Sequence, residues 1–429
     1  MPGNLDPITV IDPTGEAYNN GRLKTEAVFA DSPHLDAFSR LRVSNPQTLL
    51  DSKQIFDNQP RIWDDAEVSG SGTTSTNSQD TASSTMGVAA TTAGKRVRQT
   101  FMRLNYQPGK SHLIFCTGTL EKSGGGTGIK RGFGYFDDEN GIFLQDNEGT
   151  MQIVKRSHVT GSTVDTEEDQ DDWNLDTMDG NGPSGITLDF SKAQILIIEM
   201  AWLGVSRVRI GFVVGGKVFY AHEFLHANIN AGVYMSTPNL PIRYEIENDG
   251  SGAASTLEHI CCSVISEGGR ESFGVLQSIH NGTDKIDANS AGTVYALIGL
   301  RLKSDCLGAT VQFRKAGILA TTADNFYWEI RGNPTVSGTF NYSDVSLSCV
   351  QAALGDTSNP SNSTVTGGVI LDSGYGSGNA TIESKFVNSQ HMEHMGAAID
   401  GTRDTVVLCV SPLSSNLDIY GSMSWLEII

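Results

Sequence analysis

Between Ala193 and His226 the chain reads AQILIIEMAWLGVSRVRIGFVVGGKVFYAHEFLH, and no other stretch constrains the fold as strongly. Ile195 to Ala201 is an apolar run of strand length. After Trp202 a strict alternation begins, with Val208, Ile210, Phe212 and Val214 on one side and Arg207 and Arg209 on the other. Period two is the mark of a strand with one face in a core. Gly215-Gly216 then supplies a two-residue turn, because both positions tolerate positive φ. The return strand, Lys217 to Phe224, is expected to set Phe212 opposite Phe219, Gly211 opposite Tyr220 and Arg209 opposite His222. The reading is an antiparallel sheet.

The same stretch contains His222-Glu223-Phe224-Leu225-His226, which fits H-E-x-x-H. On a helix this spacing puts two histidines on one zinc ion, with the glutamate as base. Four residues of helix rise about 6 Å, whereas four residues of strand rise about 13 Å, too far for one ion to hold both imidazoles. Everything before His222 has the strand period. The motif is therefore read as the end of a strand, and no metal ligand or cofactor is assigned.

Charged residues make up only 18% of the 429 positions, and 47 are glycine. Few charges with many turn-forming residues fit an all-β chain. A net charge of −19 argues against nucleic acid as a partner. No apolar run approaches the ~20 residues that cross a bilayer, so membrane insertion is not expected. The N-terminus lacks a basic stretch followed by an apolar one, so no signal peptide is expected either. The six cysteines (116, 261, 262, 306, 349 and 409) form no C-x-x-C and sit mostly in apolar patterns. They are expected as buried free thiols of a protein made in a reducing cytoplasm. Cys261 and Cys262, adjacent on one strand, face opposite ways and should not bond.

Residues 1–59 carry recurrent prolines and little periodicity, and are read as an extended N-terminal arm. Phe38, Leu41, Val43, Leu49 and Leu50 are too apolar for a solvated tail. Arg40 and Arg42 stand ready to pair with acids on a partner surface. Strand patterns with intervening turns follow over 60–268 and again over 272–429. The fold expected is two tandem antiparallel β-sandwiches, of jelly-roll or lectin-like type, after the arm. The closing strands of the halves are alike, Thr256-Leu-Glu…Glu267 against Asn416-Leu-Asp…Glu427. Ser69 to Thr92 reads as a polar loop or exposed hairpin. The acidic run from Asp165 to Asp179 suggests calcium, but no calcium-loop spacing is present, and it reads as a solvated loop pinned by Trp173 and Leu175. His391 and His394 have no partner cluster. Glu199, with Glu245 or Glu247, is the one carboxylate pair worth weighing for glycoside cleavage. The reading preferred is an acid with no reaction.

The block Asp36 to Pro46, with Thr48-Leu-Leu-Asp-Ser-Lys-Gln54 and Asn58-Gln-Pro-Arg-Ile-Trp63, resembles structural proteins of tailed bacteriophages. The resemblance continues through Arg96 to Lys110 and Tyr234 to Asn248, so it covers about the first 270 residues. It implies a β-sandwich on the surface of a virion made in the host cytoplasm. It also implies a homo-oligomer (a trimer among the options) that contacts other capsid or tail proteins. On that basis the expected function is a non-enzymatic particle component, decorating the head or associated with the tail. It would be anchored through Phe38, Arg40, Leu41, Arg42, Val43, Leu49 and Leu50. The alternatives are a host-receptor or glycan-binding adhesin of a tail fibre, and a glycan-cleaving enzyme.

Overall fold

The computed structural model describes residues 34–268, 273–359, 363–379, 381–385, 395–414 and 416–428. The described residues are all-β and antiparallel, with a short 3-10 turn at Gln170–Asp172. The first sandwich has an eight-stranded sheet. Its order runs Lys217–Phe224, Val208–Val214, Gln194–Met200, His112–Ser123 and Ser255–Ser266. Beyond Ser255–Ser266 lie Ser83–Val88, which pairs with its first half, and Gln47–Lys53, which pairs with its second half. Thr73–Ser78 closes that edge. The facing seven-stranded sheet runs Val164–Asp169, Thr150–Ser157, Gly141–Asn147, Ile129–Phe136, Ile242–Asn248, Gly94–Thr100 and Trp63–Gly70. Alternate residues of both sheets, such as Ile198, Met200, Ile210 and Phe212 against Phe133, Tyr135, Leu144 and Tyr244, fill the core between them.

The second half repeats the plan around its own core, which includes Ile298, Leu300, Val311, Trp328, Leu408 and Trp425. Leu417–Ile428 is flanked on one side by Thr310–Ala320. On the other side Ile286–Ala288 and Val275–His280 pair with its successive halves. Ser255–Ser266 carries its partners in the same arrangement, which is the structural counterpart of the likeness between the two closing strands. The facing six-stranded sheet is ordered Ser343–Asp344, Val350–Leu354, Tyr295–Leu302, Thr405–Pro412, Phe326–Gly332 and Val369–Gly376.

Of the two readings of the polar run 69–92, the hairpin is found: Thr73–Ser78 and Ser83–Val88 pair antiparallel, with Met86 and Val88 in the core, while residues 69 and 70 end a strand of the other sheet. Other expectations change. The acidic run begins as an edge strand, Val164–Asp169, whose exposed carboxylates discourage pairing by another chain. Trp173 is buried beneath it, as expected of an anchor. The arm is not separate from the sandwich: Gln47–Lys53 is a strand of the larger sheet, Leu50 is in the core, and the Trp63 indole donates to Ser52 Oγ at 2.9 Å. Pro46 stands immediately before this strand, where a missing N–H costs no ladder bond. Cys306 and Cys349 form a disulfide. They lie in turns at strand ends rather than inside apolar strands, which is where the free-thiol reading failed. Cys116, Cys261, Cys262 and Cys409 are free.

The hairpin register also shifts. Phe212–Phe219 and Gly211–Tyr220 pair as expected, but Ile210 faces His222 and Arg209 faces Glu223. Ala221 is an extra residue, a β-bulge, and it turns every later side chain to the opposite face. Gly211 permits it: a Cβ there would stand 2.1 Å from the Phe219 carbonyl oxygen.

Candidate functional site

The bulge decides the fate of the H-E-x-x-H motif. His222 and Phe224 turn toward the core, while Glu223 turns outward toward Arg207, at 3.4 Å. The strand runs to Phe224, as the periodicity predicts. His222 Nδ1 accepts the Asn174 N–H at 3.3 Å. His226 Nδ1 lies 2.6 Å from the Ser206 carbonyl, and its ring stacks on Tyr234 at 4.0 Å. Burial pushes both imidazoles down to about 4, and the Lys155 ammonium, 3.3 Å from His226 Nε2, adds to the effect. The glutamate and the histidines thus face opposite sides of one sheet. His391 and His394 lie outside the described residues.

Glu199 is fully buried on the outer face of the eight-stranded sheet, since its neighbours Ile198 and Met200 face the core. Arg209 reaches it at 2.5 Å, Arg42 at 2.7 Å and the Tyr220 hydroxyl at 2.7 Å. Glu245 lies on the outer face of the other sheet, because Tyr244 and Ile246 face inward. Burial would raise its pKa, but Arg243, Lys95 and Arg156 hold it at about 2. Glu247 shares that outer face. The two layers alone are about 10 Å apart. Carboxylates beyond both of them cannot flank one glycosidic bond, which needs about 5–10 Å.

The seven arm residues divide. Leu50 is buried, and Leu49 packs against the core. Arg42 pairs with both Glu199 and Glu267, and Arg40 pairs with Asp36 at 2.6 Å while lying over the Phe38 ring. Both arginines therefore take their acids from this chain rather than from a partner surface. Leu41 and Val43 remain exposed, at 54% and 86%.

Sequence reasoning missed a cleft of about 650 Å3 between the sandwiches. Gln99, Arg103, Asp137, Asp138, Glu139 and Asn239 line one wall, and Ser304 to Ala309, Cys349, Ala398 and Ile399 line the other. Its walls are tied together. Asn239 Nδ2 donates to the Gly308 carbonyl at 2.9 Å, the Ile399 N–H donates to Asp64 Oδ2 at 2.7 Å, and the Ala397 N–H donates to the Phe101 carbonyl at 3.1 Å. Asp137 is held by Arg103 at 2.9 Å and caps its own turn by accepting the Glu139 and Asn140 N–H groups. Asp138 reaches Arg243 at 2.8 Å, which joins the cleft to the outer face of the seven-stranded sheet. The Cys306–Cys349 disulfide stands in the second wall. In the sequence, Asp137 to Asn140 reads only as a turn. Nothing local shows that it faces Ser304 to Ala309 and Cys349, far along the chain. Among the described residues no group of three or more His, Cys, Asp or Glu is placed to hold a metal ion.

No family model matches the chain, and no curated protein does. Solved structures with a similar arrangement include the endo-1,3-beta-glucanase from Streptomyces sioyaensis, 10% identical with a TM-score of 0.32. That match covers 52% of this chain and 97% of the glucanase. A legume lectin-like domain from Entamoeba histolytica is 9% identical (TM-score 0.31), covering 50% of this chain and 96% of the lectin domain. The botulinum neurotoxin serotype C1 binding domain is 8% identical (TM-score 0.30), covering 87% of this chain and 98% of that domain. At these identities and scores the likenesses carry no argument about function.

Proposed function

We propose that this is a non-enzymatic protein of a tailed-phage particle surface, which binds a host saccharide in the cleft between its sandwiches. The cleft is the observation that supports the reading. Its volume is in the range of small-molecule sites. Its lining of amides, hydroxyls and carboxylates, with one guanidinium, suits the dense hydroxyls of a neutral sugar. Four carboxylates against one arginine would repel an anion there. Leu41 and Val43, exposed beside the described start of the chain, are the arm residues left to contact a neighbouring particle protein or a second copy.

A glycan array probed with the full chain tests the binding half of the proposal. Arg103→Ala should lose the signal while the protein still melts cooperatively. Array binding that survives in that variant, or no binding to any saccharide, removes the cleft from the reading. Release of new reducing ends from a bound glycan overturns "non-enzymatic". Immunogold labelling of intact particles tests the virion half, and unlabelled particles refute it.

A further inference from the structure

In a chain with 49 acidic and 30 basic residues, arginines rarely lack a counter-ion. Arg96, Arg103, Arg131, Arg156, Arg209 and Arg243 each have a carboxylate oxygen between 2.5 and 2.9 Å away. Arg301 and Arg403 differ. Arg301 Nε and Arg403 Nη1 both donate to one neutral atom, Gln351 Oε1, at 2.9 and 3.1 Å, so the two guanidinium groups are neighbours. The further contacts are the Leu302 carbonyl for Arg403, at 3.0 Å, and the Tyr342 ring, 4.2 Å beneath Arg301. Among the described residues neither arginine has a carboxylate within ion-pair distance. Two acids close by are engaged elsewhere: Asp344, across the strand pair, accepts from the far side of the same amide, at 2.9 Å, and Asp404, next to Arg403 in sequence, accepts from Asn333 and Gly396.

The fold builds this arrangement deliberately into one face. Leu300 and Leu302 point into the core, so Arg301 stands on the outer face of the six-stranded sheet, paired with Gln351 on one side and Thr405 on the other. Gly299, two residues before it on that face, leaves room for the aromatic loop to lie against the sheet. A Cβ at 299 would stand 2.5 Å from Phe340 and 2.7 Å from the Tyr342 hydroxyl. Tyr342 is thereby fixed under the guanidinium. Burial, then the charge of Arg403, lowers the pKa of Arg301.

We infer that Arg301 and Arg403 form a binding site for an oxyanion, a carboxylate or sulfate group of a ligand. Each guanidinium carries paired N–H donors that match the oxygens of such a group, and each charged bond is stronger than the one made to an amide. Gln351 Oε1 holds the two in position without neutralising them. The inference stands apart from the cleft reading, and either can fail alone.

The test is calorimetric titration of the full chain, at low ionic strength, with sodium sulfate, sodium glucuronate and glucose. One saturable site is expected for the two anions, which should compete with each other and weaken as sodium chloride is added. Glucose should give nothing at this site. Arg403→Gln should weaken binding roughly tenfold or more, and Arg403→Lys should restore part of it. Gln351→Glu is the decisive variant, because it places an internal carboxylate where the ligand's would add charge. It should abolish anion binding while the protein melts no lower than the parent. Binding of sulfate without glucuronate would restrict the site to sulfate groups. No saturable binding of either anion, or unchanged binding in Arg403→Gln and Gln351→Glu, overturns the inference.

Discussion

Glu199→Gln removes one charge and no volume from a fully buried ion pair of the first sandwich. Glu199 and Arg209 are both fully buried, and the Arg42 side chain is 17% exposed. The carboxylate accepts from Arg209 and the Tyr220 hydroxyl and is ion-paired with Arg42 as well. In the variant, Arg209 would keep the Leu35 carbonyl, at 2.8 Å, and the face of the Tyr220 ring, but would lose its ion pair with Glu199. A buried charge stripped of its partner costs about 3–5 kcal/mol. In a domain of this size that is a fall in Tm of roughly 6–20 °C. Arg42→Gln should cost less, since that side chain keeps some water and its loss leaves Glu199 paired with Arg209. The two substitutions share one carboxylate, so their effects should not add. Urea and thermal denaturation of both single variants and the double one measure all three values. Saccharide binding in the cleft should be unchanged, because Glu199 lies on the other outer face. A cost below about 1 kcal/mol for Glu199→Gln would refute the reasoning, since it would mean that Arg209 is satisfied without it.

His222 and His226 have folded-state pKa values of about 4, depressed from 6.5, so folding favours their neutral forms. The stability they contribute is complete above pH 6.5 and is lost as pH falls toward 4; imidazole NMR titrations with midpoints at or above 6.5 would contradict this. Glu245, held at about 2 against an ordinary 4.5, adds a loss below pH 4.5 that Glu245→Gln should remove from the acid-denaturation curve. Gly211→Ala puts a methyl against the Phe219 carbonyl, and should destabilise the hairpin by about 1–3 kcal/mol, read as faster amide exchange across Val208–Phe224. A chain starting at Gln59 should lose cooperative melting, whereas one starting at His34 should keep it, because Gln47–Lys53 pairs with Ser255–Ser266 and carries Leu50 and Ser52. Equal melting of the two would show that the strand is dispensable.

The local reading was sound wherever one face of a strand is apolar. The alternation at Val208 to Val214, the Gly-Gly turn and the apolar rows of the second half are consequences of a period of two, which any ten residues display. All-β character and the strand state of the H-E-x-x-H segment follow from that alone. Three-dimensional partners do not. The bulge at Ala221 depends on how Gly211 meets the opposite backbone, and it reverses the faces of His222 and Glu223. Arg42 meets Glu199, and Cys306 meets Cys349, only after sheets have stacked and turns have closed. The cleft and the Arg301–Arg403 pair draw on segments separated by 50 to 300 positions. Periodicity records which way a side chain points relative to its own strand. What it points at is set by non-local packing, and in this protein each candidate site is made of such encounters.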